Sequence, residues 1–104
     1  MDIALIFPGQ GSQKPGMAQD LAARFPAAAE VMARVDAALG FGLSSLCYGG
    51  PADALVATEV AQPALLAHGA AAWAVLAEAL RPHVRAAAGH SLGEFSAHHA
   101  AGTL

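Results

Sequence analysis

The chain has little charge, few aromatic residues and a single cysteine. Of its 104 residues, 12% are charged and 6% aromatic, against 56% hydrophobic, and the formal net charge is -3. A chain this apolar and this weakly charged is excluded from the disordered class and fits one small, mildly acidic globular domain. The five basic residues, Lys14, Arg24, Arg34, Arg81 and Arg85, are scattered among eight acidic ones. No basic face exists to neutralise a row of phosphates, so no nucleic acid partner is expected. Cys47 alone cannot close an internal disulfide, and Met1 runs into an apolar stretch without the charged start and cleavage site of a signal peptide. A reducing, cytoplasmic setting is the expectation.

Much of the hydrophobic fraction is alanine, which favours helices but gives little area to bury. The larger apolar side chains therefore set the architecture. Asp2 to Phe7 (DIALIF) ends at Pro8-Gly9 and reads as a strand buried on both faces, as in a parallel sheet. Pro8 to Gly16 holds three glycines and two prolines, a loop able to approach a ligand closely at the C-terminal end of that strand.

Helices are expected over Met17 to Phe25 and Pro26 to Leu39, the second with Val31, Val35 and Leu39 on one face and Gly40-Phe41-Gly42 as its stop. Short helical turns follow over Leu43 to Tyr48 and Pro51 to Ala57. Gln62 to Leu80 is the longest regular element, with Leu66, Gly69, Trp73, Leu76 and Leu80 expected to face the sheet. No charged residue occurs between Val60 and Ala77, but alanine, Gln62, Pro63 and His68 make a poor membrane span, and no membrane association is expected. Val84 to Gly89 reads as a second strand and Leu92 to Ala101 as a helix stopped by Gly102. Two parallel strands leave edges and faces uncovered, so residues 1–104 read as a single partial domain.

Gly89-His90-Ser91-Leu92-Gly93 fits the G-x-S-x-G nucleophile elbow, between a predicted strand and a predicted helix as that motif requires. The turn would push the Ser91 hydroxyl outward, and the helix would aim free N–H groups and its positive end at the serine. The Leu92 backbone N–H is the natural first oxyanion donor, and the glycine-rich loop supplies a second, at Gln10. The plainer alternative is that Ser91 only caps the last helix, with Glu94 completing an S-x-x-E capping box.

Three motifs act together: FPGQGSQ at Phe7 to Gln13, QPAL at Gln62 to Leu65, and GHSLGE at Gly89 to Glu94. Their order and spacing resemble the malonyl-CoA:acyl carrier protein transacylases of fatty acid synthesis over the whole chain. The acyltransferase domains of polyketide synthases share these motifs, and Met1 directly before the first strand suits a free-standing enzyme better. The resemblance implies an α/β-hydrolase-like large subdomain, here its N-terminal part, lacking the C-terminal half and a small inserted subdomain. It implies that Ser91 is acylated by malonyl-CoA and passes malonyl to the phosphopantetheine thiol of acyl carrier protein, with no cofactor of its own. It also implies an oxyanion hole from the backbone N–H groups of Gln10 and Leu92, with His90 and Gln62 near the site. The histidine that activates the serine and the arginine that pairs with the malonyl carboxylate fall, in that family, beyond Leu104.

No histidine already present is an obvious substitute. His98 and His99 lie about 10 Å along the helix from Ser91, and His90, as the adjacent residue, should point elsewhere. His68 and His83 are expected to be solvent-facing or satisfied locally. His90, Glu94 and His98 fall at i, i+4 and i+8 but do not form H-E-x-x-H, and no metal site is expected. Cys47, in an apolar turn, reads as a structural thiol, and Trp73 as a core anchor. Taken alone the chain should be nearly inactive. The rival readings are a non-catalytic module that oligomerises or binds a partner through its exposed sheet edges, and a small serine hydrolase.

Overall fold

The structure, a computed structural model, describes residues 2–9, 11–89 and 93–101, with the side chains of residues 94 and 95 left aside. Two strands, β1 (Ile3–Phe7) and β2 (Val84–Gly89), pair in parallel. Between them run α1 (Gln19–Arg24), α2 (Pro26–Leu39), α3 (Leu43–Gly49), α4 (Ala52–Val56), α5 (Thr58–Leu80) and one 3-10 turn (Arg81–His83); α6 (Gly93–Ala101) follows β2.

The strand register runs Ile3 to Val84, Leu5 to Ala87 and Phe7 to Gly89 on the inner face. Pairing jumps from Val84 to Ala86, which leaves Arg85 over; its guanidinium donates to Asp2 Oδ1 at 3.1 Å. The alternation of side chains leaves β1 covered on one face, not on both as its apolar run predicts. Phe7 is buried, whereas Ile6 is 82% exposed, because the helices packed on the sheet, α5 and α6, cover only the face that carries Phe7.

Pro26 opens α2 and Gly40, at φ 78°, closes it with its N–H on the Asp36 carbonyl. The α2 face that carries Val31, Val35 and Leu39 forms the rim of the core and not its centre. Ala28 and Met32 are the buried residues, Val31 and Val35 pack beside them half-buried, and Leu39 is exposed. The Asp36 carboxylate accepts from the Ser44 N–H at 2.8 Å and from the Ser44 hydroxyl, which caps the first turn of α3. The helix α1 is shorter than expected, since Met17 and Ala18 occupy the turn before it, with Ala18 at φ 65°.

Helix α5 begins four residues before Gln62, and Pro63 lies inside it. Pro63 is the sixth residue of α5, past the first turn where proline carries no penalty, so it marked the neighbourhood of the helix start and not its first residue. The buried stripe is Ala61, Ala64, Leu65, Ala67, Ala71 and Trp73; Leu76, expected inside, is 45% exposed. The alanines let α2 approach closely, and that contact, more than the sheet, decides which side of α5 is covered. Met32, Leu43, Cys47 and Leu55 fill the core between α2, α3, α4 and α5. A second core on the sheet holds Phe7, Trp73, Ala97 and Ala100, and the Arg81 guanidinium lies 5.3 Å from the Trp73 ring centre. Residues Thr58–His83 are long and apolar enough to cross a membrane by length and composition, yet they pack against five other elements of this fold.

Candidate active site

Parallel pairing puts the C-terminal ends of β1 and β2 side by side, Phe7 opposite Gly89. Both following loops therefore leave the same edge of the sheet, where open α/β sheets bind ligands. Gly93, the first residue of α6, is buried against this edge. A Cβ on it would overlap the Phe7 carbonyl oxygen and come within 2.9 Å of the Pro8 oxygen. Only glycine admits the backbone of the first loop so close to the N-terminus of α6, whose nine aligned peptide dipoles make that end positive.

Beyond Pro8 the loop is held by its own hydrogen bonds. Ser12 donates twice to the Gly9 carbonyl, from its N–H at 3.3 Å and from its hydroxyl at 2.7 Å. The Gly11 N–H donates to Gln13 Oε1 at 2.7 Å, with Gly11 at φ 110°, a backbone state that glycine adopts freely. At the far end the Gly16 N–H reaches the Cys47 carbonyl at 2.7 Å, tying the loop to α3.

Next to this edge a cleft of about 320 Å³ runs between β1, α5 and α6. Its walls are mainly apolar, and Ser12, His68 and Ser96 are its polar members. Burial pushes the His68 imidazole below its ordinary pKa of 6.5, which favours the neutral ring. His68 lines this cleft half-buried, where a solvent-facing or locally satisfied ring was expected.

Of the residues singled out from sequence, Gln10, His90, Ser91 and Leu92 lie outside the described residues, as does the proposed capping contact of Ser91 with Glu94. Gln62 is exposed on α5 and does not line the cleft. Cys47 is fully buried, and its thiol is pushed up to about 11, first by burial and then by the nearby Asp36 charge. Among the described residues no group of three His, Cys, Asp or Glu side chains is placed to hold a metal ion. No motif marks Ser96 or the contact role of Gly69. A glycine inside a helix, which costs about 1 kcal/mol relative to alanine, was the available signal.

The sequence matches the acyl transferase domain family over residues 4–104. The chain belongs to that family. A malonyl CoA-acyl carrier protein transacylase from Salmonella typhimurium is 45% identical over 101 residues, covering 97% of this chain and 33% of that protein. The crystal structure of an acyl-carrier-protein-S-malonyltransferase from Bartonella henselae superposes with a TM-score of 0.92 at 47% identity, over 98% of this chain and 33% of its own. A malonyl-transacylase in complex with a type II PKS acyl-carrier protein gives a TM-score of 0.90 at 44% identity, again over 98% and 33%. The chain thus spans about a third of the length of these acyl transferase relatives, and its strands and helices are that part of their α/β fold.

Proposed function

We propose that this acyl transferase chain carries the nucleophile of a malonyl-CoA:acyl carrier protein transacylase, with Ser91 as the acylated residue. The observation that carries the reading is the seating of Gly93 on the Phe7 and Pro8 carbonyls, which draws the two motif-bearing segments to one edge of the sheet. The Ser91 oxygen attacks the thioester carbonyl of malonyl-CoA, the C–S bond breaks and the coenzyme A thiol leaves. The phosphopantetheine thiol of acyl carrier protein then attacks the serine ester, regenerates the hydroxyl and carries malonyl away. The backbone N–H groups of Gln10 and Leu92 receive the negative oxygen in each tetrahedral state. Engagement of the Gly11 N–H by Gln13 supports Gln10 as the loop's donor, because Gly11 has no spare one.

The general base and the arginine for the malonyl carboxylate come, by the family resemblance, from sequence beyond residue 104. A base is worth about two to four orders of magnitude, so this stretch by itself acylates slowly. No cofactor enters the scheme, the partners are malonyl-CoA and acyl carrier protein, and the setting is the cytoplasm. Fatty acid synthesis is the favoured pathway, with a polyketide pathway as the alternative.

The test is incubation with labelled malonyl-CoA followed by intact-mass measurement. A single malonyl adduct is expected on the wild type and none on Ser91→Ala. Turnover to free malonate without carrier protein indicates a serine hydrolase instead. Absence of any adduct, together with a defined oligomer, indicates a non-catalytic module, a reading favoured by the bare face around Ile6.

A further inference from the structure

One phenylalanine meets a glycine on each of three elements. Phe7, the last residue of β1, lies in register with Gly89 at the end of β2. Its carbonyl stands where a Cβ of Gly93 would be, at the start of α6. Its ring stands 3.3 Å from where a Cβ of Gly69 would be, in the middle of α5, and the same Cβ would meet the Ser96 hydroxyl oxygen at 2.9 Å and the Ser96 Cβ at 3.2 Å. Phe7 and Ser96 are both buried. The ring is thus clamped between α5 and α6 while the backbone of the same residue touches the N-terminus of α6. Pro8 follows directly, so the place of the ring fixes where the glycine-rich loop starts.

We infer that Phe7, clamped by Gly69 and Ser96, is a positioning residue: it sets the height of the Pro8–Gly9 segment against the N-terminus of α6, and through it the geometry of acyl transfer. This rests on the proposed role of Ser91. Nothing in the contact touches substrate; its effect passes through the backbone of Phe7. The device is sensitive because both tight neighbours of Gly69 are held, one in a strand and one in a helix, and neither is the free end of a long side chain.

Gly69→Ala tests this, because alanine is the better helix former and any loss must come from the contact. The added methyl forces Phe7 and Ser96 apart. Adduct formation at saturating malonyl-CoA should fall about 10- to 100-fold, as misplacement by a fraction of an ångström to one ångström does, with half-saturation unchanged. The NMR contact between the Gly93 α-protons and the Phe7–Pro8 backbone should weaken in parallel. The double variant Gly69→Ala/Ser96→Ala removes the nearest atom and should recover a large part of both. Met32→Ala, in the other core, should lower the melting temperature and leave both signals as they are. The proposal is overturned if Gly69→Ala changes neither signal, if Met32→Ala reduces acylation as much for the same loss of stability, or if the double variant recovers nothing. A wild type that takes up no malonyl counts against the role of Ser91; the contact of Gly93 with the Phe7–Pro8 backbone in the single and double variants then still decides the positioning role.

Discussion

At the scale of single residues, burial decides what the side chains can do. Cys47 was legible as structural from its apolar neighbours, and the fold adds the reason: no water reaches the thiol and Asp36 opposes its ionisation. Thiolate is the reactive form, so a disulfide reagent at pH 8 should label the native chain far more slowly than the chain unfolded in denaturant. Because the folded pKa stands near 11 and the unfolded one near 9, the folded chain keeps its proton longer, and the stability this gives is lost as pH rises from 9 to 11. His68 works in the other direction. Its folded pKa lies below 6.5, so below that pH the unfolded chain binds the extra proton first and stability falls. His68→Gln should flatten the decline of melting temperature between pH 7.5 and 5.5, read by circular dichroism.

At the scale of elements, the joints between helices matter more than helix propensity. The Asp36 carboxylate holds the first turn of α3, and Asp36→Ala should cost about 1 kcal/mol, measured as a lower denaturant midpoint at unchanged slope. Element types and order could be read from the sequence because Pro26, Gly40, Pro82 and the strand-ending Pro8-Gly9 punctuate it. The buried faces could not. Leu76 was expected against the sheet and is exposed, whereas the smaller Ala61, Ala64, Ala67 and Ala71 of the same helix are buried. Close approach of α2 to α5 reversed that order, a tertiary fact invisible in either helix. For the site, the motifs carried Ser91, Leu92 and Gln10 as candidates, whereas the packing of Phe7 against Gly69 and Ser96 needed coordinates, because it joins three segments distant in the chain.

For the whole molecule, a compact core coexists with a bare sheet. The radius of gyration, 13.1 Å, equals the roughly 13 Å usual for a folded domain of this length, so the helices around Met32 and Leu65 have closed up normally. The outer face of β1 has not been covered, and Ile6 with Ala4 presents apolar surface to water on a strand with an open edge. The 104-residue chain should self-associate with rising concentration, and Ile6→Lys should shift it toward monomer in sedimentation velocity while the helical signal is kept. Residues 8–83 form a single crossover between the only two strands described. On a ribosome, Phe7 is therefore added to the chain about 4 to 16 s before its partner Gly89 at ordinary elongation rates. Throughout that wait β1 lacks its partner, so the earlier-made of the two described strands stays unpaired until the later one arrives, and it is there that a chaperone would have the longest opportunity to bind.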